Sequence, residues 1–336
     1  MIDLLLLSVL GLSFASTIFF ILWWIPKARR AGLTGKDMNK LSKPEIAEVG
    51  GLPVLFGFLT GVLLFIGHRT FIQGITENLI EILGIIATIT IIAIIGLIDD
   101  ILGWKIGIKQ YQKPLLCIFA ALPLMMINAG KSFMSIPLIG TIDLGLLYPL
   151  LIVPFILIFT SNSFNMLAGY NGLEAGMGII ILSTLGFLAW QVEGLSVYAV
   201  ITAIMIMCLL AFLMFNWHPA RIFPGDSLTY MVGALIGTIA ILTNQDKALL
   251  LLFIPYYLEI ILFIRILLHK IKAEAFAKVN PDGSLTAPYK KVFDTTHIAI
   301  KFLSKIKRKV YEKEIVYTIL AFEAFIALTA LLILWV

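Results

Sequence analysis

The sequence predicts an all-α fold, a polytopic membrane helix bundle of about ten transmembrane helices with both termini outside. Three observations predict it. Hydrophobic residues make up 60% of the 336 and charged residues only 13%, where soluble domains average roughly 45–50% and about 25%. Apolar runs long enough to cross a bilayer recur along the whole chain. The basic residues are concentrated in alternate connections between those runs.

The runs fall at 2–25, 50–67, 76–98, 114–129, 143–161, 172–190, 196–215, 227–243, 247–268 and 313–335. Crossing the hydrocarbon core takes about 20 residues of helix, so the fourth and eighth runs are short and suit tilted or enclosed helices. The first run is too long for a signal-peptide core and lacks a basic leader and a small-residue cleavage site, so it reads as a retained span. Connections 27–49, 99–113, 162–171, 216–226 and 269–312 hold 20 of the 25 Lys and Arg. The positive-inside bias puts these connections in the cytoplasm. Trp23, Trp24, Trp104, Trp190, Trp217 and Trp335 fall near the boundaries, as interfacial anchors do. The formal charge of +5 then reports loop bias, and nucleic acid is not an expected partner. Cys117 and Cys208 sit inside apolar runs at no metal or disulfide spacing and read as small core residues.

The chain reads as one domain over 1–336, with a long cytoplasmic loop at about 269–312. Asn280-Pro281-Asp282-Gly283 is a turn signal within it. Beyond it, Ala299, Phe302, Leu303, Ile306 and Val310 recur at helical spacing among lysines and Arg308. That pattern predicts a basic amphipathic helix on the anionic membrane face.

The polar connections carry the candidate chemistry. Asp99 and Asp100 close the third run; paired carboxylates at a membrane boundary serve metal binding or general-base work, or are simply two solvated loop aspartates. Thr160 to Gly176 packs three asparagines and three glycines behind an apolar run. Its Asn165 and Asn171 suit Mg²⁺, phosphate or sugar hydroxyls, Glu174 opens the next run, and a turn with caps explains the same residues. In Asn216 to Ser227, Phe223 offers a face for a base, Arg221 a partner for phosphate, and Asp226 either a ligand or a helix N-cap. His218 reads as a loop histidine. Lys40 and Lys43, before Gly50-Gly51, attract phosphate or are plain positive-inside charge. Five connections on one side thus collect acidic, amide, aromatic and basic groups, the mixture a Mg²⁺ site with substrate phosphates needs.

As a set, KLSKPEIAEVGG, GLIDD, NMLAGYNGLEAG, NWHPARIFPGDS and VNPDGSLTAPY resemble the polyprenyl-phosphate N-acetylhexosamine-1-phosphate transferases. Within that family the chain is most similar to the UDP-GlcNAc–dolichyl-phosphate GlcNAc-1-phosphotransferases of eukaryotes and archaea. The resemblance implies transfer of GlcNAc-1-phosphate from UDP-GlcNAc to a polyprenyl phosphate, with Mg²⁺ as cofactor, Mn²⁺ as a substitute, and a homodimer allowed. It implies metal contacts from Asn165 and Asp226, a catalytic role for Asp99 and Asp100, and pyrophosphate contact from Lys113. It also implies stacking of Phe223 on uracil and nucleotide or sugar contact from Asn171. Lys43, Glu174, Arg221 and Lys278 complete the expected substrate-binding set. Relatives carry an Arg-x-Arg or His-x-His cluster in the last cytoplasmic loop; this chain has Ala273-Glu274-Ala275 there, with Lys278 the nearest cation. The same chemistry on another UDP-N-acetylhexosamine or on undecaprenyl phosphate is the near alternative. A multi-pass transporter is the distant one, and it predicts mid-membrane charges such as Glu259 and Glu323. A lipid phosphatase lacks a recognisable nucleophile.

The basic asymmetry yields an expected outcome. Single cysteines placed at 105 and 285 label with an impermeant maleimide only from the cytoplasm, and one at 131 only from outside; the reverse pattern overturns the orientation.

Overall fold

The computed structural model describes residues 4–103, 107–136, 140–193, 196–269 and 274–334; Trp104, Lys105, Ala273 and Trp335 lie outside them. Each of the ten apolar runs is helical. In order these are α1 (Leu4–Arg30), α2 (Gly51–Gly67), α3 (Leu79–Leu102), α4 (Gln112–Met126), α5 (Val153–Met166), α6 (Leu173–Glu193), α7 (Val197–Asn216) and α8 (Gly225–Leu242). Then come α9 (Asp246–Leu252), α10 (Ile254–His269), α11 (Thr295–Ile306) and α12 (Glu312–Leu334). Among the described residues eight helices are long and apolar enough to span, and α9 with α10 makes a ninth bent by 57°. The expected ten therefore resolve into eight or nine full spans plus the 15-residue α4. Short hairpins β1–β2 (Thr34–Lys36, Glu45–Ala47), β3–β4 (Phe133–Ile136, Gly140–Asp143) and β5–β6 (Lys278–Val279, Leu285–Thr286) fill connections.

Helix α8 is the axis of the bundle. Every residue from Ser227 to Ile241 is buried, and α2, α3, α5 and α6 pack around it. Between lipid-soluble helices association rests on close packing, so small residues sit where backbones touch. Gly96 of α3 is such a residue: a Cβ there would stand 2.6 Å from Asp226 O and from the Ser227 backbone. Outward-facing Phe19, Ile80, Phe155, Phe325 and Leu332 are exposed, as lipid contact requires.

Helix ends depart from the sequence expectation in informative ways. The fifth run ends at 161 by hydropathy, yet α5 continues to Met166. Its polar residues satisfy themselves within the helix: Thr160 Oγ1 and Ser163 Oγ donate to Ile156 O and Phe159 O at 2.9 and 2.5 Å, and Asn162 Nδ2 to Ile158 O at 2.7 Å. Asn165 is therefore a last-turn residue and not a loop residue. The amphipathic helix runs over 295–306 and excludes Val310. Asp294 starts it, accepting the Thr296 N–H at 2.7 Å. Val310 is buried instead in the link to α12, where its carbonyl accepts the Leu285 N–H at 2.7 Å and fastens the β5–β6 hairpin.

The connections 31–50, 107–111, 167–172, 217–224 and 274–311 meet at one polar end. Ala47 bridges to Ile222, Asn39 Nδ2 donates to Gly169 O at 3.2 Å, and the Ala277 N–H donates to Asn39 Oδ1 at 3.1 Å.

The α3–α8 contact makes Gly96→Ala an overpacking change, costing about 1–3 kcal/mol. Gly11→Ala, with nothing within 4 Å of the added carbon, is the control. Thermal unfolding in detergent is expected to show a lower midpoint for the first and none for the second; equal midpoints refute the close approach.

Candidate active site

Consecutive residues on a helix point about 100° apart, so Asp99 and Asp100 in the last turn of α3 face different partners. Asp100 turns to the start of α8. Its Oδ1 accepts the Asp226 N–H at 2.6 Å, and its Oδ2 accepts the Ser227 N–H at 3.1 Å and the Ser227 Oγ–H at 2.6 Å. The first turn of any helix leaves N–H donors unsatisfied and favours negative charge; here a carboxylate from another helix meets both needs. Gly225 makes this possible. Its φ is +68° and a Cβ on it would lie 2.4 Å from Asp100 Oδ2. The reading of Asp226 as an N-cap is thereby corrected. Asp100 is the cap, and the Asp226 side chain is left for other work.

Asp226 uses it on Lys113, the second residue of α4. The Lys113 ammonium stands 2.6 Å from Asp226 Oδ2 and 2.8 Å from Asp99 Oδ2, over the Tyr230 ring at 5.7 Å. The other oxygen of Asp99 accepts the Ile108 N–H. All three charged side chains keep 15–22% of their surface exposed, so the cluster is reachable from the polar end. Asn165 stands beside it: its Oδ1 accepts the hydroxyl of Thr229 at 2.7 Å, one turn along α8 from Asp226. Among the described residues no three His, Cys, Asp or Glu side chains form a ready-made metal cage. What is present is one ammonium between two carboxylates, with a third behind, so negative charge is in surplus. Hard oxygen donors with surplus charge fit a divalent ion that takes its remaining ligands from substrate phosphates.

A fourth carboxylate escaped the sequence reading. Glu48 lies between β2 and the double glycine, and its pKa is raised above the ordinary glutamate value by burial and by the field of Asp226. The segment holding it is tied to the start of α8: the Phe223 N–H donates to Ala47 O at 2.8 Å, and the Gly50 and Gly51 N–H groups donate to Phe223 O and Pro224 O at 2.9 and 3.0 Å. Phe223 is thus held by backbone on both sides with its ring half-exposed.

A second polar centre lies where α12 begins, again missed in the sequence. The Glu312 carboxylate, 3% exposed, pairs with Lys40, lies 3.1 Å from His218 Nδ1 and accepts the Asn171 N–H at 3.0 Å. Asn171 Nδ2 donates to Asp37 Oδ2 at 3.0 Å, and Asp37 also pairs with Lys40 at 3.2 Å. Asn171 is buried, with its backbone N–H and its side-chain amide nitrogen both engaged. Glu174 is buried too; one oxygen accepts the Gly169 N–H at 2.8 Å and the other has no partner among the described residues. His218 is no mere loop residue. Lys43, Arg221 and Lys278 are exposed. Arg221 lies over the Phe215 ring at 4.9 Å, Lys43 has a left-handed backbone, and Lys278 sits in β5. Among the described residues none of the three pairs with the carboxylate cluster.

Residues 82–244 match the model for glycosyl transferase family 4. A protein of Saccharolobus solfataricus, provisionally named a UDP-N-acetylglucosamine–dolichyl-phosphate N-acetylglucosaminephosphotransferase, is 38% identical over 96% of this chain and 94% of the relative. The Dictyostelium discoideum enzyme of that name is 30% identical over 68% and 64% respectively. The phospho-N-acetylmuramoyl-pentapeptide-transferase of Shouchella clausii is 32% identical over 73% and 77%. By coverage and identity, and with its motifs gathered at one polar end of a helix bundle, the chain belongs to glycosyl transferase family 4, beside the UDP-N-acetylglucosamine–dolichyl-phosphate N-acetylglucosaminephosphotransferases.

Proposed function

We propose that the chain transfers N-acetylglucosamine-1-phosphate from UDP-GlcNAc to a polyprenyl phosphate of dolichyl type, releasing UMP, as the first membrane step of lipid-linked oligosaccharide assembly. The relatives' names support the substrates. The observation that carries the chemistry is the Lys113 ammonium seated between Asp99 and Asp226 at the edge of a lipid-facing bundle.

A lipid phosphate oxygen attacks the β-phosphorus of the donor. The bond from that phosphorus to the bridging oxygen breaks, and UMP leaves with the electron pair. Positioning and charge stabilisation supply most of the catalysis in such transfers. Lys113 is already desolvated and aimed, so it can exchange a carboxylate oxygen for a phosphate oxygen with little reorganisation. Asp99, thereby released, takes the lipid phosphate proton or orients the phosphate. Asp226 and Asn165 are the residues that would hold Mg²⁺, or Mn²⁺ in its place. The ion supplies charge neutralisation at the pyrophosphate. Asp100 acts by holding the start of α8, and so Asp226, in place. The polar end faces the cytoplasm in this reading, following the basic residues, and both charged headgroups react there while the lipid tail stays in the bilayer.

Purified protein with Mg²⁺, radiolabelled UDP-GlcNAc and dolichyl phosphate is expected to move label into the organic phase with an equal yield of UMP, UDP-GalNAc serving as the competing donor. Excess EDTA is expected to abolish transfer, and Asp226→Ala to reduce it by about 10²–10³-fold. No organic-phase label overturns the proposal, and full turnover in EDTA overturns the metal.

The two aspartates of α3 are expected to fail differently. Asp99→Asn lowers kcat by about 10²–10⁴-fold with an unchanged melting temperature. Asp100→Asn puts an amide against two backbone donors and removes a charged acceptor, costing roughly 1.5–3 kcal/mol of stability, and so lowers the melting temperature as well as activity. Identical melting of the two variants rules out the division of labour.

A further inference from the structure

We propose that Glu312 is a positioning residue for the nucleotide-sugar, fastening three loops of the donor site to the start of α12; the inference rests on the transfer proposed above. One buried carboxylate receives a partner from each loop: Lys40 from the α1–α2 connection, the Asn171 N–H at 3.0 Å from the α5–α6 connection, and His218 Nδ1 at 3.1 Å from the α7–α8 connection. These three connections pack Ile46, Leu167 and Ile222 into the core, and the Glu312 carboxylate adds the directional bonds that fix their polar residues.

The hydrogen bonds run on from Glu312 toward the carboxylate cluster. The N–H of Gly172, next to Asn171, donates to Asn216 Oδ1 at 3.0 Å. Asn216 Nδ2 donates to Ile222 O at 2.9 Å. Phe223 follows, held by Ala47 and Gly50, and Asp226 lies three residues beyond. On the other flank Asp37 takes the Asn171 amide at 3.0 Å, and Asn39 holds Gly169 O and the Ala277 N–H. Release of Glu312 therefore loosens Asn171 and Phe223, to which the family resemblance gives the donor contacts, while Lys113 and Asp99, held by α3 and α4, keep their geometry. The effect belongs in donor affinity and not in the chemical step. Burying a charge is tolerable only with such full pairing, and removing the carboxylate leaves Lys40 facing Asp37 alone.

The test is steady-state kinetics of the full-length protein in detergent with dolichyl phosphate, comparing Glu312→Gln with Glu314→Gln. Glu314 lies on the same turn but pairs with exposed Lys307 at 2.6 Å. Glu312→Gln is expected to raise the KM for UDP-GlcNAc at least tenfold, with kcat and the KM for dolichyl phosphate within threefold of wild type. Glu314→Gln is expected to match wild type. A fall in kcat or active fraction with an unchanged donor KM makes Glu312 structural only and overturns the proposal, as does an equal rise in both KM values. If Glu312→Gln does not fold, Lys40→Met and His218→Gln replace it, and unchanged donor KM in both overturns the proposal. Titration calorimetry with UDP alone separates this inference from the reaction. If the wild type binds UDP but makes no product, the reaction assignment fails while weaker UDP binding by Glu312→Gln still upholds the positioning role.

Discussion

The fold turns on one contact, the Asp100 carboxylate against the N-terminus of α8. Two backbone N–H groups and a hydroxyl end on that carboxylate. The contact requires glycine twice, at Gly96 so that α3 and α8 touch backbone to backbone, and at Gly225 so that the turn before the helix clears the carboxylate. A helix start buried in a bundle cannot rely on water for its orphan donors. Its cap must come from protein, and a cap on a neighbouring helix also locks the two helices in register. Once α8 is fixed along α3, Asp226 is delivered to Lys113, and Thr229 to Asn165, without any flexible loop between them.

The same contact explains why a pair of aspartates is needed. A single carboxylate cannot both saturate the helix start and offer oxygens to a cation. Two successive residues on α3 divide these roles because the helix turns them apart. The result concentrates acidic groups: Asp99, Asp100, Asp226 and Glu48 lie close enough that the field of Asp226 and burial hold the Glu48 proton more tightly than usual. Lys113 offsets only part of that charge. An anionic donor would be repelled by such a cluster without added cation, which agrees with a site completed by a divalent ion that arrives with the pyrophosphate.

Much of the architecture was legible because membrane spans announce themselves by length and composition. All ten runs became helices, and the bend between α9 and α10 lies inside a run that hydropathy reads as continuous. What hydropathy misplaced were ends. Thr160, Asn162 and Ser163 look like loop residues, yet each returns its polar atom to a carbonyl of the preceding turn, so α5 carries Asn165 into the site. Val310 fits a helical stripe by spacing, but a stripe cannot tell a helix from a buried linker residue fastened to a hairpin. The carboxylate cluster itself was legible as motifs in alternate connections. Glu48 and Glu312 were not: Glu312 sits among Lys309, Lys313 and Glu314 and Glu48 follows Glu45, and nothing in such a run marks the one side chain that will be buried and paired from distant connections.

The second centre shows how a membrane enzyme can order its loops without a soluble domain. The connections at the polar end pack Ala47, Leu167, Tyr170, Ile222 and Leu285 into the core, and directional interactions fix the polar residues between them. Asp37, Lys40, Asn171, His218 and Glu312 form such a set, in which every charged group is partnered by the opposite charge or by a donor. A buried ion network contributes little net stability against apolar packing of the same volume, but it tolerates few alternative arrangements. For the transfer proposed above, a single arrangement matters more than depth of stability. The network reaches the carboxylate cluster through Asn216, Ile222 and Phe223, a path made of backbone and amide hydrogen bonds. The Lys113–Asp99 pair and the Glu312 network are thereby built on different supports, α3 with α4 for one and α12 for the other, and they join on the short segment that leads into α8.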